Sequence, residues 1–178
     1  MLNPNSSLFA LMTAPVQPGH VVWIGVRPER SAPMKVLRAV SAEAGKGLAG
    51  DRYKTKSNGG RQITLIDAAS LDAVAGYLHC DSIDPGLVRR NIVVQGMNLL
   101  ALKNKLFRIG RVVLEYSGEC HPCSRMEINL GTGGYNALRG HGGSTARILE
   151  SGQIAVGDTV QVMDEQRSSA SAPPTAQK

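Results

Sequence analysis

The 178 residues are enough for one domain with a substantial core, and their composition gives no reason to divide them in two. An odd cysteine count, with no basic start and apolar run in Met1 to Gly19, argues against a disulfide-stapled secreted module and predicts a cytoplasmic protein. The net charge of +6 favours anionic partners, but the basic residues are spread singly apart from Arg89-Arg90, and aromatic residues are too few for base stacking, so neither nucleic acid nor a membrane is an expected partner.

Along the chain, residues 1–19 read as an N-terminal extension, 20–163 as the domain and 164–178 as a Ser/Ala/Pro/Thr tail with too little to bury, expected to be disordered. Within the domain, short apolar runs rich in β-branched residues alternate with glycine and proline: His20 to Val26, Met34 to Val40, Arg61 to Ile66, Asn91 to Gln95, Lys105 to Ile109, Val112 to Tyr116, Thr145 to Leu149 and Thr159 to Met163. One helix is marked, with Asp67 as N-cap and Ala68, Leu71, Val74, Ala75 and Leu78 at helical spacing. The pattern predicts a mainly β protein, a small barrel or sandwich, with this helix plugging or flanking it.

Three segments carry candidate chemistry. Gly45 to Asp51 contains a Gly-x-Gly-x-x-Gly match, but it opens no long helix and leads through Arg52, Tyr53 and Lys54 into Ser57-Asn58-Gly59-Gly60. It reads as a strand connection whose amides can face an anion, or whose glycines only serve tight turns. Arg89-Arg90-Asn91 follows the turn Asp84-Pro85-Gly86; guanidinium forks suit phosphate or carboxylate and Asn91 suits an amide-rich heterocycle, whereas the alternative is a solvated strand rim.

The third segment is Cys120-His121-Pro122-Cys123. Two thiols at this spacing can close a redox disulfide, supply half of a zinc site completed by His79-Cys80, or leave one thiolate reactive. A thioredoxin-like motif needs a long following helix, which Ser124 to Leu130 does not offer before Gly131, Gly133 and Gly134. Polar Glu119, His121, Ser124 and Arg125 are poor company for buried cysteines.

The ordered set Gly47-Leu48-Ala49-Gly50-Asp51, Gly60-Arg61-Gln62-Ile63-Thr64-Leu65-Ile66-Asp67, Arg89-Arg90-Asn91-Ile92-Val93-Val94, Arg108-Ile109-Gly110 to Glu115 and Pro122-Cys123 resembles the MOSC domain, named after the C-terminal domain of molybdenum-cofactor sulfurases. The resemblance spans about His20 to Val162 and includes Ala146 to Leu149 and Ile154 to Asp158. It implies a MOSC-type β-barrel with a few short helices that binds molybdenum cofactor (molybdopterin), or handles sulfur for it, through one cysteine. Cys123 matches that cysteine, either as a persulfide carrier or as a thiolate ligand to molybdenum, roles that a soft nucleophilic sulfur can fill. Some relatives reduce N-hydroxylated compounds, so a small-molecule substrate and a sulfur-donor or electron-donor protein are implied partners.

By the same resemblance, Gly50, Asp51, Arg61, Arg90, Asn91 and Arg125 are cofactor-binding candidates, Cys120 and His121 auxiliary ones, and Arg139, His141 and Arg147 further pocket candidates. Relatives often carry a basic residue where Cys120 stands, and some have histidine at Asn58. The chain shows no pyridoxal-phosphate-dependent desulfurase domain and no iron-sulfur cysteine set, so pyridoxal phosphate is not expected here. Two other readings remain: a non-catalytic module for a phosphorylated ligand, and a dithiol redox protein using both Cys120 and Cys123.

Overall fold

The computed structural model describes residue 3, residues 5–53 and residues 59–163. The tail at 164–178 and the Asn58 position lie outside the described residues. Eleven strands follow in chain order among the described residues: β1 Gly19–Val26, β2 Lys35–Leu37, β3 Ala39–Glu43, β4 Gly47–Leu48, β5 Ile63–Asp67, β6 Ile92–Gln95, β7 Leu106–Ile109, β8 Val112–Glu119, β9 Ser144–Glu150, β10 Gly152–Ala155 and β11 Thr159–Val162. The helices are α1 Ser7–Thr13, α2 Ala68–Tyr77, α3 Pro85–Val88, α4 Ser124–Leu130 and α5 Gly134–Ala137, with a 3₁₀ turn at Leu99–Leu102.

Seven strands close a barrel in the order β1, β6, β5, β9, β8, β7, β11 and back to β1, so the expected mainly β fold is present and the barrel itself has no free edge. Strands β5 and β6 run parallel and are joined through α2 and α3; the other barrel pairings are antiparallel. Strand β2 adds to β1 outside the closed ring, and β10, β3 and β4 form a separate small sheet. The single expected strand Met34 to Val40 is therefore two. The chain bends at Arg38 so that β2 pairs with β1 while β3 pairs with β10, a split that a continuous apolar run does not announce.

Period-two alternation divides the barrel strands into an inner and an outer face. Ile63, Leu65, Ile92, Val94, Leu114, Ala146 and Ile148 point inward and are packed with Phe107, Ile109 and Val160 in the interior. The outward residues Ile66 and Val93 are instead covered by a second apolar cluster built from Leu71 and Val74 of α2, Val88 of α3, Met126 of α4 and Ala137 of α5. The predicted helix thus flanks the barrel rather than filling it, and its N-cap is as expected: Asp67 accepts from the Ser70 N–H at 2.8 Å.

The short helices escaped the periodicity argument because each has one turn or two. Helix α3 starts on an Asp84 cap with Pro85 in its first turn, so the turn signal Asp-Pro-Gly marks a helix start. Helix α4 is tied to α5 by Glu127, whose two carboxylate oxygens accept from the Gly133 and Tyr135 N–H groups at 2.8 and 2.9 Å. Those two backbone donors hold the Glu127 carboxyl below its ordinary pKa. Among the described residues no helix is long and apolar enough to cross a membrane.

Candidate functional site

Among the described residues, one stretch of the outer wall has no helix over it. There the outward positions are polar: Thr64 on β5, Ser117 on β8, Thr145 and Arg147 on β9, with Asn91 leading into β6. Asn91 is fully buried and is the hub of this stretch. Its Oδ1 accepts from the Thr64 N–H at 3.1 Å, the Thr64 hydroxyl at 2.8 Å and Arg27 Nη2 at 3.4 Å; its Nδ2 donates to Gly25 O at 3.1 Å and Asp51 Oδ1 at 3.2 Å.

Asp51 is the second hub, with a side chain only 1% exposed. It accepts from the Arg27 backbone N–H at 2.6 Å, from Arg27 Nε at 3.0 Å and Nη2 at 2.7 Å, and from the Tyr53 N–H at 3.2 Å. Burial alone raises its carboxyl, but the Arg27 hydrogen bonds and charge, with the Tyr53 N–H, outweigh that and leave the pKa below the ordinary value. Gly50 makes the turn before it at φ +78°, a conformation that favours glycine. Asp51 and Asn91 therefore spend their polar groups inside the protein, and what they present is the guanidinium of Arg27. Sequence reasoning passed over Arg27; the available signal was a cation directly after the first strand, with Asp51 in need of one.

Arg90 is also engaged internally. It is 6% exposed, and it donates to three main-chain carbonyls: Val88 at 2.8 Å, Gly142 at 2.7 Å and Cys120 at 3.0 Å. Burial lowers its pKa first; Cys120 and Cys123 oppose that, while Arg27 and Arg61 reinforce it. Its neighbour Arg89, in the left-handed region at φ +58°, turns the other way and donates to Ala32 O at 2.7 Å. Arg89 is likewise depressed by burial and then by the charges of Arg27, Arg125 and Arg52. Arg125 itself reaches Ser31 Oγ at 2.8 Å. Arg27, Arg52 and Arg125 thus act on Arg89, and Arg27 and Arg61 on Arg90, and among the described residues Asp51 is the one carboxylate that ion-pairs with any of these six arginines. Such a surface favours an anion.

The thiol loop lies beside these arginines and is fastened through its main chain. The Cys120 N–H donates to Gly143 O at 2.8 Å, and its carbonyl accepts from Arg90. Gly142 and Gly143 permit this approach: a Cβ on Gly142 would run into Cys120 O, and one on Gly143 into Leu65 O. Cys120 is buried, with Arg61 Nη2 at 4.0 Å from its sulfur, whereas Cys123 is exposed as the residue preceding α4. The run between them is neither a turn nor a bend, and Cys123 is extended at φ −132°, ψ 173°. All three thiols are free, and the two sulfurs of the loop occupy unlike environments.

Arg61, Arg139 and His121 are exposed, and His141 faces Tyr77 with the hydroxyl 3.4 Å from Nε2. Arg147 pairs with Glu115 at 3.3 Å. The zinc alternative is not supported: among the described residues no three His, Cys, Asp or Glu side chains converge on one point. His79-Cys80 closes α2, where the Cys80 thiol lies 3.7 Å from Ala75 O and 3.6 Å from Ser82 O, instead of joining Cys120 and Cys123.

Comparison with known proteins agrees with this architecture. The YuaD protein from Bacillus subtilis superposes with a TM-score of 0.71 at 18% identity, covering 83% of this chain and 96% of that one. YiiM from Geobacillus stearothermophilus gives 0.65 at 14% identity over 84% and 77% of the two chains, and YiiM from Escherichia coli 0.61 at 12% over 82% and 70%. At these identities the likeness is one of fold. No protein of curated function matches the sequence. The family model of the MOSC domain matches residues 35–161, which include the polar outer wall, the arginines from Arg52 to Arg125 and the thiol loop, and the chain accordingly belongs to the MOSC domain family.

Proposed function

We propose that the chain binds molybdenum cofactor beside the polar outer wall, with Cys123 as the thiolate that meets the metal. The observation that carries this reading is the juxtaposition of an exposed thiol with arginines crowded around Arg89 and Arg90, among which Asp51 pairs only with Arg27. A phosphate-bearing anionic pterin supplies the missing negative charge, and a soft thiolate suits a high-valent metal. The residues present fit the group: Arg27, Arg61, Arg89 and Arg125 are the cations that would hold its phosphate and pterin, and Asp51 and Asn91 fix Arg27 in place. When bound, the cofactor supplies two-electron oxidation and reduction at the metal. The chain's own part is to present Cys123 on a loop held rigid through Cys120 N, Cys120 O and Arg90, and to keep Arg27 aimed outward.

Protein purified from a cofactor-producing host should carry molybdenum and pterin in a fixed ratio to protein. Cys123→Ala should lose the molybdenum while remaining folded, and Arg89→Ala should weaken retention of both. Wild-type protein without either component under those conditions would overturn the reading. The exposure of Cys123 supports a second role, sulfur carriage, with a reduced small molecule or a partner protein as recipient. Intact mass after incubation with a sulfane-sulfur donor should then show one added sulfur, absent in Cys123→Ala; an unchanged wild-type mass counts against carriage.

A further inference from the structure

The thiol loop has a second side. Cys120, His121 and Pro122 form one wall of a cleft of about 610 Å³, whose other walls are the first turn of α2, the segment from β6 into the 3₁₀ turn, and residues 140–143. Its apolar lining with exposed surface comes from Ala68, Ala69, Leu100 and Pro122, with Val94, Met97 and Leu99 of the barrel core behind them. Its charged lining is Asp67, Asp72 and Glu119, accompanied by the imidazoles of His121 and His141. No lysine or arginine lines it, although the chain carries 20 of these against 14 carboxylates.

The three carboxylates are not equivalent. Asp67 is committed to α2, receiving the Ser70 N–H and hydroxyl at 2.8 Å each. Asp72 and Glu119 are exposed, and among the described residues no donor or cation pairs with either. A concave site with an apolar lining and unspent polar groups has the makings of a small-molecule site, and the sign of its charge selects the ligand. We infer that this cleft binds a small organic cation, an ammonium group carried on an apolar body, with the body against Leu100 and Pro122 and the charge between Asp72 and Glu119. The loop of Cys120 to Cys123 then borders two sites of opposite preference, anionic at the arginines and cationic at this cleft. The second site depends on no cofactor.

The test uses the full chain free of cofactor, titrated with phenethylammonium chloride and followed by amide chemical shifts. Saturable shifts at Asp72, Asn98, Glu119 and His141 are expected, with the neutral analogue 2-phenylethanol binding about tenfold more weakly or worse. Glu119→Gln and Asp72→Asn, both at exposed positions that leave the fold intact, should each reduce affinity about threefold and together about tenfold. Absence of saturable shifts at these amides, equal affinity for the alcohol, or an unchanged affinity in the double variant would each overturn the inference. Cys123→Ala should leave the titration as it is, so failure of the cofactor reading and failure of this one are separately visible.

Discussion

Thr64 and Ile66 lie two residues apart on one strand and face the same way, yet they belong to unlike regions. Ile66 is roofed by α2 and α4 and packed among apolar side chains, whereas Thr64 is bonded to Asn91 on the wall that no helix of the described residues covers. The difference teaches that in this barrel the site is defined by where the helical cover stops. Under the cover, stability comes from apolar burial; beyond it, from a polar lattice of Thr64, Asn91, Asp51 and Arg27 that also aims a cation at solvent.

The sharpest way to break that contrast is under the cover. Ile66→Ala should cost about 2–5 kcal/mol in denaturant unfolding, by lost transfer energy and the cavity left behind, without changing molybdenum bound per folded molecule. A loss of metal in the folded fraction would show that the two regions are not independent. Asp51→Asn should cost about 1–3 kcal/mol at neutral pH, because Arg27 and Asn91 lose their charged acceptor. Since the folded carboxyl has the lower pKa, its contribution is complete above the unfolded value of about 3.9 and disappears as pH falls through the folded one. The stability gap between wild type and variant should therefore be flat from pH 7 to about 5 and close below about 4. A gap that instead widened in acid would contradict the assignment.

Smaller effects probe the thiol loop. Cys120→Ala should cost about 1 kcal/mol, seen as a fall of roughly 2–4 °C in Tm, because a buried but small sulfur is lost while the main-chain bonds stay. Cys123→Ala should change stability by less than about 0.5 kcal/mol, as an exposed residue whose side chain caps nothing. A large loss of stability for Cys123→Ala would mean that the exposed thiol is structural and would blunt the contrast between the two cysteines.

Much of the barrel could be read from residue order, since β-branched runs between glycines persist as strands even when their ends shift. The break at Arg38 could not, because it arises from competition between two partner strands that lie far apart in sequence. Among the candidate site residues, Cys123 stands out in motif order, and it is exposed. Asp51, Arg90 and Asn91 were legible as a group but not in their duties: a polar residue in a motif reads alike whether it faces a ligand or holds the residue that does. Arg27 belongs to no motif segment; its one signal in the sequence is a cation directly after the first strand, and the folded geometry of Asp51 gives that cation its role.

The loop that carries Cys123 is anchored by peptide groups: an N–H and a carbonyl of Cys120, met by Gly143 and Arg90. Main-chain anchors are indifferent to the side chains they carry. Positions 120 to 122 can therefore change identity, altering polarity and access around the sulfur, while the sulfur keeps its address. The cost of that freedom falls elsewhere, on Gly142 and Gly143, where a single added carbon has no room. In this fold the chemistry is editable and the hinge plate is not.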